Sequence, residues 1–168
     1  MKYAVTENLD KALKAAREAA KKYANPEIGT EHILYGLVSV RECTASKLLV
    51  ERGVNLSFSE RVFGGGAHMR IVGDVDYTPR VKSMFQTGFK LSQSLGQSAV
   101  GTEHFLYCML LDQASLATSI LRDWYKINLP ELVEKLKSVL QAEADNAAKN
   151  DDEEKRELPA QLADMGVD

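Results

Sequence analysis

The chain has 168 residues, 45% of them hydrophobic, which suits one compact domain with a filled core. Its net charge of −3 and pI near 5.7 argue against general nucleic-acid binding, which shows as a basic excess. There is no run of about 18 apolar residues and no signal-peptide-like N-terminus, and Cys43 and Cys108 form no CxxC and do not match in position; a reducing, cytoplasmic setting without a disulfide framework is the expectation.

In chain order, Thr6 caps a predicted helix running through Tyr23, with apolar positions at Leu9, Ala12, Leu13, Ala16, Ala20 and Tyr23, the spacing of one buried face. A second helix starts at Gly29-Thr30-Glu31-His32, with Thr30 as its expected cap and Glu31 in its first turn. A third runs from Thr44 to Arg52 and is closed by Gly53; a fourth follows Asn55. Gly64-Gly65-Gly66 then predicts a flexible loop leading to Tyr77.

Thr78-Pro79 opens the next helix, because proline suits a first helical turn. Its face is Val81, Met84, Phe85, Gly88 and Leu95, and Gly96 is its expected stop. Gly101-Thr102-Glu103-His104 begins another helix with Thr102 as cap, Ser115–Trp124 reads as one more, and a last helix runs from Pro130 to about Ala147. The segment Asp145–Glu157 is charged and poor in apolar residues, which predicts a solvated linker. Residues 141–168 hold nine acids against three bases, so the body is mildly basic and the tail acidic. A small apolar cluster, Leu158, Leu162 and Met165, follows the charged stretch.

The two halves are one repeat. An offset of 72 residues maps Gly29-Thr30-Glu31-His32 onto Gly101-Thr102-Glu103-His104, Thr6 onto Thr78, Leu13 onto Phe85, Tyr35 onto Tyr107 and Leu49 onto Leu121. The register then slips by one, since Asn55-Leu56 matches Asn128-Leu129. Ala16 and Gly88 fall at equivalent positions, where small residues would let helices approach closely.

Catalytic patterns are missing. No GxxxxGK[ST] occurs, and the glycine run lacks the lysine-serine follow-up of a phosphate loop. His32 and His104 each adjoin a glutamate, but neighbours on a helix point about 100° apart and HExxH is absent, so these histidines read as packing or capping residues. Cys43 and Cys108 have no activating context. Glu31 and Glu103 carry two readings. Each can simply favour the helix dipole. Each can also accept a guanidinium beside a helix N-terminus that binds an anion, which suits a ligand bearing both charges.

The doubled Gly-Thr-Glu-His, with Thr6, Ile33-Leu34, Tyr77-Thr78-Pro79-Arg80 and Phe105-Leu106, resembles the paired Clp N-terminal repeat at the front of ClpA, ClpB and ClpC unfoldases; the Tyr-Thr-Pro-Arg opening is most similar to the ClpC branch. The resemblance covers residues 1–140. It implies an all-α fold of two tandem four-helix repeats related by a pseudo-two-fold, with repeat one at about 1–63, a loop at 64–76 and repeat two at about 77–140. Residues 141–168 would then be a charged linker and the start of an ATPase module.

The function so implied is docking of substrates and adaptors for an ATP-dependent Clp unfoldase. The chain itself would be no enzyme and hold no cofactor or metal, since ATP and magnesium belong to the ATPase modules. Expected partners are protein substrates, some arginine-phosphorylated, a MecA-like adaptor, the remainder of the Clp hexamer and its ClpP peptidase, with no nucleic acid and no membrane. The resemblance assigns phosphoarginine binding to Glu31 and Glu103, with Thr30 and Thr102 on the phosphate side, one pocket per repeat. Phe85, Phe89, Trp124 and Tyr125 are candidates for adaptor contact if exposed. The chain departs from the family at Tyr35 and Tyr107, where aliphatic residues are usual, and at Ser39–Cys43 and Asp112–Ser115, which replace a glycine-rich turn; adaptor specificity is what these changes touch. The rival reading is a free-standing Clp-repeat regulatory protein that associates with a Clp protease complex.

Overall fold

The computed structural model describes residues 3–64 and 70–157. Gly65 and Gly66 of the triple-glycine run and the cluster Leu158, Leu162 and Met165 lie outside the described residues. The regular secondary structure of the described residues is helical apart from two short strands. Repeat one contains α1 (Glu7–Lys22), β1 (Glu27–Ile28), α2 (Thr30–Ser39), α3 (Thr44–Glu51) and α4 (Phe58–Phe63). Repeat two contains β2 (Asp76–Tyr77), α5 (Pro79–Ser94), α6 (Thr102–Leu111), α7 (Leu116–Ser119) and α8 (Leu129–Glu157). One continuous apolar core runs through both repeats.

The first helix of each repeat is capped alike. Thr6 Oγ1 accepts from the Leu9 amide at 3.2 Å, and Thr78 Oγ1 accepts from the Val81 amide at 3.2 Å. Glu7 and Asp10 at the start of α1, with Lys21 and Lys22 at its end, complement its dipole. Gly96 follows α5 with a φ of 75°, a left-handed stop that favours glycine.

Ala16 and Gly88 are both buried, but among the glycines the tightest approach is not at Gly88, where an added Cβ would meet Val100 at 3.2 Å. It lies at Gly36 on α2, where an added Cβ would meet the Ala12 carbonyl oxygen of α1 at 2.0 Å. Repeat two has Cys108 and Met84 at the matching positions, so its helix pair cannot approach as closely.

Three differences from the expected elements have physical reasons. Ser115–Trp124 is not one α-helix: α7 is capped by Ser115 and passes into a π-helical turn at Ile120–Trp124. Repeat two holds one more residue than repeat one between Leu121 and Asn128, and a π-turn is how a helix absorbs a single inserted residue. Helix α8 does not stop near Ala147 but continues to Glu157. The charged stretch at its end is rich in Glu, Lys, Ala and Arg, which have good helix propensity. Residues 70–77 are also no free loop. Arg17 on α1 donates to Asp74 Oδ1 at 2.6 Å, to the Val75 carbonyl at 2.7 Å and to the Tyr77 hydroxyl at 3.2 Å. Arg70 pairs with Glu18, and the Ile71 amide donates to the Lys21 carbonyl.

The repeats interlock symmetrically. β1 pairs in parallel with β2, and Val5 bridges Val100 in the same sense. Thr78 donates its amide to the Ile28 carbonyl at 3.0 Å, and Thr6 donates to the Val100 carbonyl at 2.9 Å. The lead-in to the first helix of each repeat is thus tied to the residue before the second helix of the other.

Candidate binding site at the paired Gly-Thr-Glu-His turns

All four residues of the turn have separate tasks. Gly29 and Gly101, not the threonines, are the N-caps of α2 and α6. Their backbone is extended, so the need is for space. A Cβ on Gly29 would meet Glu31 Oε1 at 2.5 Å, and one on Gly101 would meet Glu103 Oε1 at 3.0 Å. The glutamate of each turn folds back over its glycine.

The histidine supplies the cap. His32 Nδ1 accepts from the Gly29 amide at 2.9 Å, and His104 Nδ1 accepts from the Gly101 amide at 2.8 Å. Nδ1 is therefore unprotonated, and Nε2–H donates to Asn25 Oδ1 at 2.8 Å in one repeat and to Gln97 Oε1 at 2.6 Å in the other. Burial pushes His32 down to about 4, and burial also lowers His104 against the opposing charge of Glu103. The 3.8 Å approach of Glu31 to His32 is accordingly no ion pair at neutral pH. Phe63, the last residue of α4, stacks on the His32 ring at 4.5 Å.

Thr30 and Thr102 are 3% and 2% exposed, and their hydroxyls point into the junction of the repeats. Thr30 Oγ1 accepts from the Ala117 amide at 3.1 Å, and Thr102 Oγ1 accepts from the Ala45 amide at 3.5 Å. Each threonine satisfies a first-turn amide of the third helix of the opposite repeat. The expected cap of the threonine's own helix is instead a cap of another one.

The two glutamates meet different surroundings. Glu31, with 22% of its side chain exposed, lines a cavity of about 540 Å³. Facing it are Thr78, Pro79 and Arg80 in the first turn of α5, with Val62 and Leu116 as apolar walls. Of the N–H groups there, Thr78 gives its own to the Ile28 carbonyl, Pro79 has none and Val81 gives its own to Thr78 Oγ1, which leaves the Arg80 amide to face the cavity. Arg80 pairs with Asp112 at the rim. Burial raises the Glu31 carboxyl above its ordinary range, partly offset by a backbone hydrogen bond.

Glu103 has a carboxyl partner instead. Burial would raise it, but hydrogen bonds from Glu143 of α8, from the backbone and from Thr102 outweigh burial and hold it low. Glu143 is pushed up to about 8, by burial first and by Glu103 second. Glu143 therefore keeps its proton at neutral pH and donates to the Glu103 carboxylate.

Sequence reasoning missed Arg80, Val62, Leu116 and Glu143. A signal existed for Glu143, because Leu132, Leu136, Leu140 and Glu143 share one helical stripe of which the three leucines are core. Of the aromatic candidates, Phe85 is buried, Phe89 is half-buried against Tyr3, Tyr125 donates its hydroxyl to the Asn55 carbonyl, and Trp124 is 44% exposed beneath Arg61. Cys43 caps α3 through its sulfur, and burial pushes the Cys108 thiol up to about 11. Among the described residues, no cluster of three or more His, Cys, Asp or Glu side chains could hold a metal ion, and no helix is long and apolar enough to cross a membrane.

Residues 4–124 and 76–162 match the family described as the Clp repeat (R) N-terminal domain. Over 122 residues the chain is 34% identical to the negative regulator of genetic competence ClpC/MecB of Bacillus subtilis, covering 70% of this chain and 15% of that protein. It is 30% identical to the chloroplastic chaperone protein ClpC1 of Arabidopsis thaliana, covering 70% of this chain and 13% of that one. The chain thus spans about 15% of the length of the curated relatives it matches. The fold is shared with the N-terminal domain of ClpD from Arabidopsis thaliana, with a TM-score of 0.66 and 16% identity over 84% of this chain and 97% of that one. It is also shared with the ClpV N-domain solved in complex with a VipB peptide, with a TM-score of 0.61 and 17% identity over 81% and 86%.

Proposed function

Because the chain belongs to the Clp repeat N-terminal domain family, we propose that it is the domain through which a Clp chaperone ATPase takes hold of protein substrates and adaptors, and that the cavity beside Glu31 receives a phosphoarginine side chain. The observation that carries the reading is a partly open carboxylate, Glu31, facing the first turn of α5 and Arg80 across a cavity of about 540 Å³. A guanidinium would give Glu31 a positive partner, and the phosphoryl group would meet the Arg80 amide and guanidinium. Val62 and Leu116 would flank the aliphatic stem.

Thr30 and Thr102 enter this reading as supports rather than as direct ligands, since their hydroxyls face the repeat junction. Docking would be weak per site, and attachment to an ATPase ring would raise the local concentration of substrate. A MecA-like adaptor, the Clp hexamer and its ClpP peptidase are the partners that this role requires.

Calorimetric titration with free phosphoarginine, with arginine and phosphoserine as controls, tests the pocket. Saturable binding by the wild type, lost in Glu31→Ala and absent for both controls, supports it. No heat from a sample with an intact thermal transition sinks the phosphoarginine reading and leaves adaptor docking as the working function.

A further inference from the structure

The two Gly-Thr-Glu-His turns are near copies, yet their glutamates end in opposite situations. Repeat one finishes with the short α4, which stops at Phe63 before Gly64 and leaves Glu31 on a cavity. Repeat two finishes with α8, whose core stripe Leu132, Leu136 and Leu140 runs on to Glu143. An acid at a core position is costly unless something on the facing element receives it. What receives it is Glu103, another acid.

Glu143 Oε1 is buried, and no N–H or hydroxyl of the described residues reaches it. Two ionised carboxylates cannot share such a site, so the contact needs one proton between them. We infer that α8 is a proton-held latch on repeat two: the Glu143 carboxyl docks on Glu103, and the end of α8 lifts from α6 when that carboxyl ionises.

The charged neighbours leave this balance to the pair. From α6, His104 is buried and neutral at physiological pH. On α8 itself, Lys137 is held by Glu134, and Asp145 accepts from Gln141. From α1 and the turn before α3, Lys11 is held by Glu42 and Glu7. The upward shift of Glu143 comes from burial and Glu103, with no cation opposing it. The sign follows. Glu103, held low, favours docking above the ordinary carboxyl value of 4.5, and Glu143, pushed up, favours it below about 8, so the docked state is favoured most near 4.5 and loses that advantage as the pH rises towards about 8.

The test is amide hydrogen exchange across residues 141–146 between pH 5 and pH 9, corrected for intrinsic rates, on the whole chain without ligand. Wild-type protection should fall with pH, by up to roughly ten-fold per unit, the limit for release of one proton. Glu143→Gln replaces the shared proton with an amide donor, so its protection should stay flat; Glu103→Gln provides the donor from the other side and should flatten the profile as well. Parallel profiles for wild type and both variants, or a wild type with no slope, would overturn the latch. The readout uses no ligand, so its failure is distinct from failure of the phosphoarginine reading.

Discussion

Thr30 and Ala117 lie 87 residues apart, and the Thr30 hydroxyl oxygen accepts the Ala117 amide at 3.1 Å inside the junction of the repeats. The reciprocal bond joins Thr102 to the Ala45 amide. Replacing Thr30 with Val keeps the shape and strands a buried amide, which costs about 1–3 kcal/mol. Urea denaturation of Thr30→Val should show that loss, and Thr102→Val should lose less because its bond is longer, at 3.5 Å. Equal, negligible effects would show that the cross-repeat bonds contribute nothing to holding the halves together.

The glycines of the first repeat separate folding from binding. Gly36→Ala drives a Cβ into the Ala12 carbonyl at 2.0 Å, against backbone that cannot step aside. A loss of at least about 1–3 kcal/mol is expected, the usual scale of overpacking. Gly29→Ala instead meets the flexible end of Glu31 at 2.5 Å. It should change the thermal midpoint little, yet weaken phosphoarginine binding in calorimetry by moving the carboxylate.

Acid should unfold the domain through its buried histidines. His32 has a folded value of about 4, held down by burial, against 6.5 when exposed. For a group charged below its pKa, the stabilisation is complete above 6.5 and is lost as the pH falls towards 4. The full effect is on the order of 3 kcal/mol for this almost wholly buried ring. Urea midpoints measured from pH 7 to pH 4 should fall, and His32→Gln, which keeps an acceptor but does not titrate, should fall less steeply over that range.

Ligand binding should weaken in acid for a different reason. The Glu31 carboxyl sits above the ordinary value of 4.5 because it is buried. A guanidinium selects its ionised form, so phosphoarginine affinity should decline as the pH drops, starting above 4.5. Calorimetry at pH 5.5 and 7.5 checks this. Binding that is unchanged, or tighter at pH 5.5, would remove Glu31 as the cation's partner.

Much of this molecule is determined by its sequence alone, because the forces concerned act within about four residues. The caps by Thr6 and Thr78, the stop at Gly96 and the apolar stripes are all of that kind, and the duplication is read directly from the repeated letters. The one-residue slip between the repeats was visible as well, and the π-turn at Ile120–Trp124 is its structural form. Only the tertiary structure decided where the side chains of the repeated turn would go. Thr30 looks like the cap of its own helix until α7 is brought beside it, and His32 turns out to close that helix instead. Glu31 and Glu103 are equivalent as letters, yet one faces a cavity walled by α5 and the other faces Glu143 of α8. Helix periodicity sets which residues share a stripe, but which stripe meets which is decided when both repeats bury their apolar faces in one core.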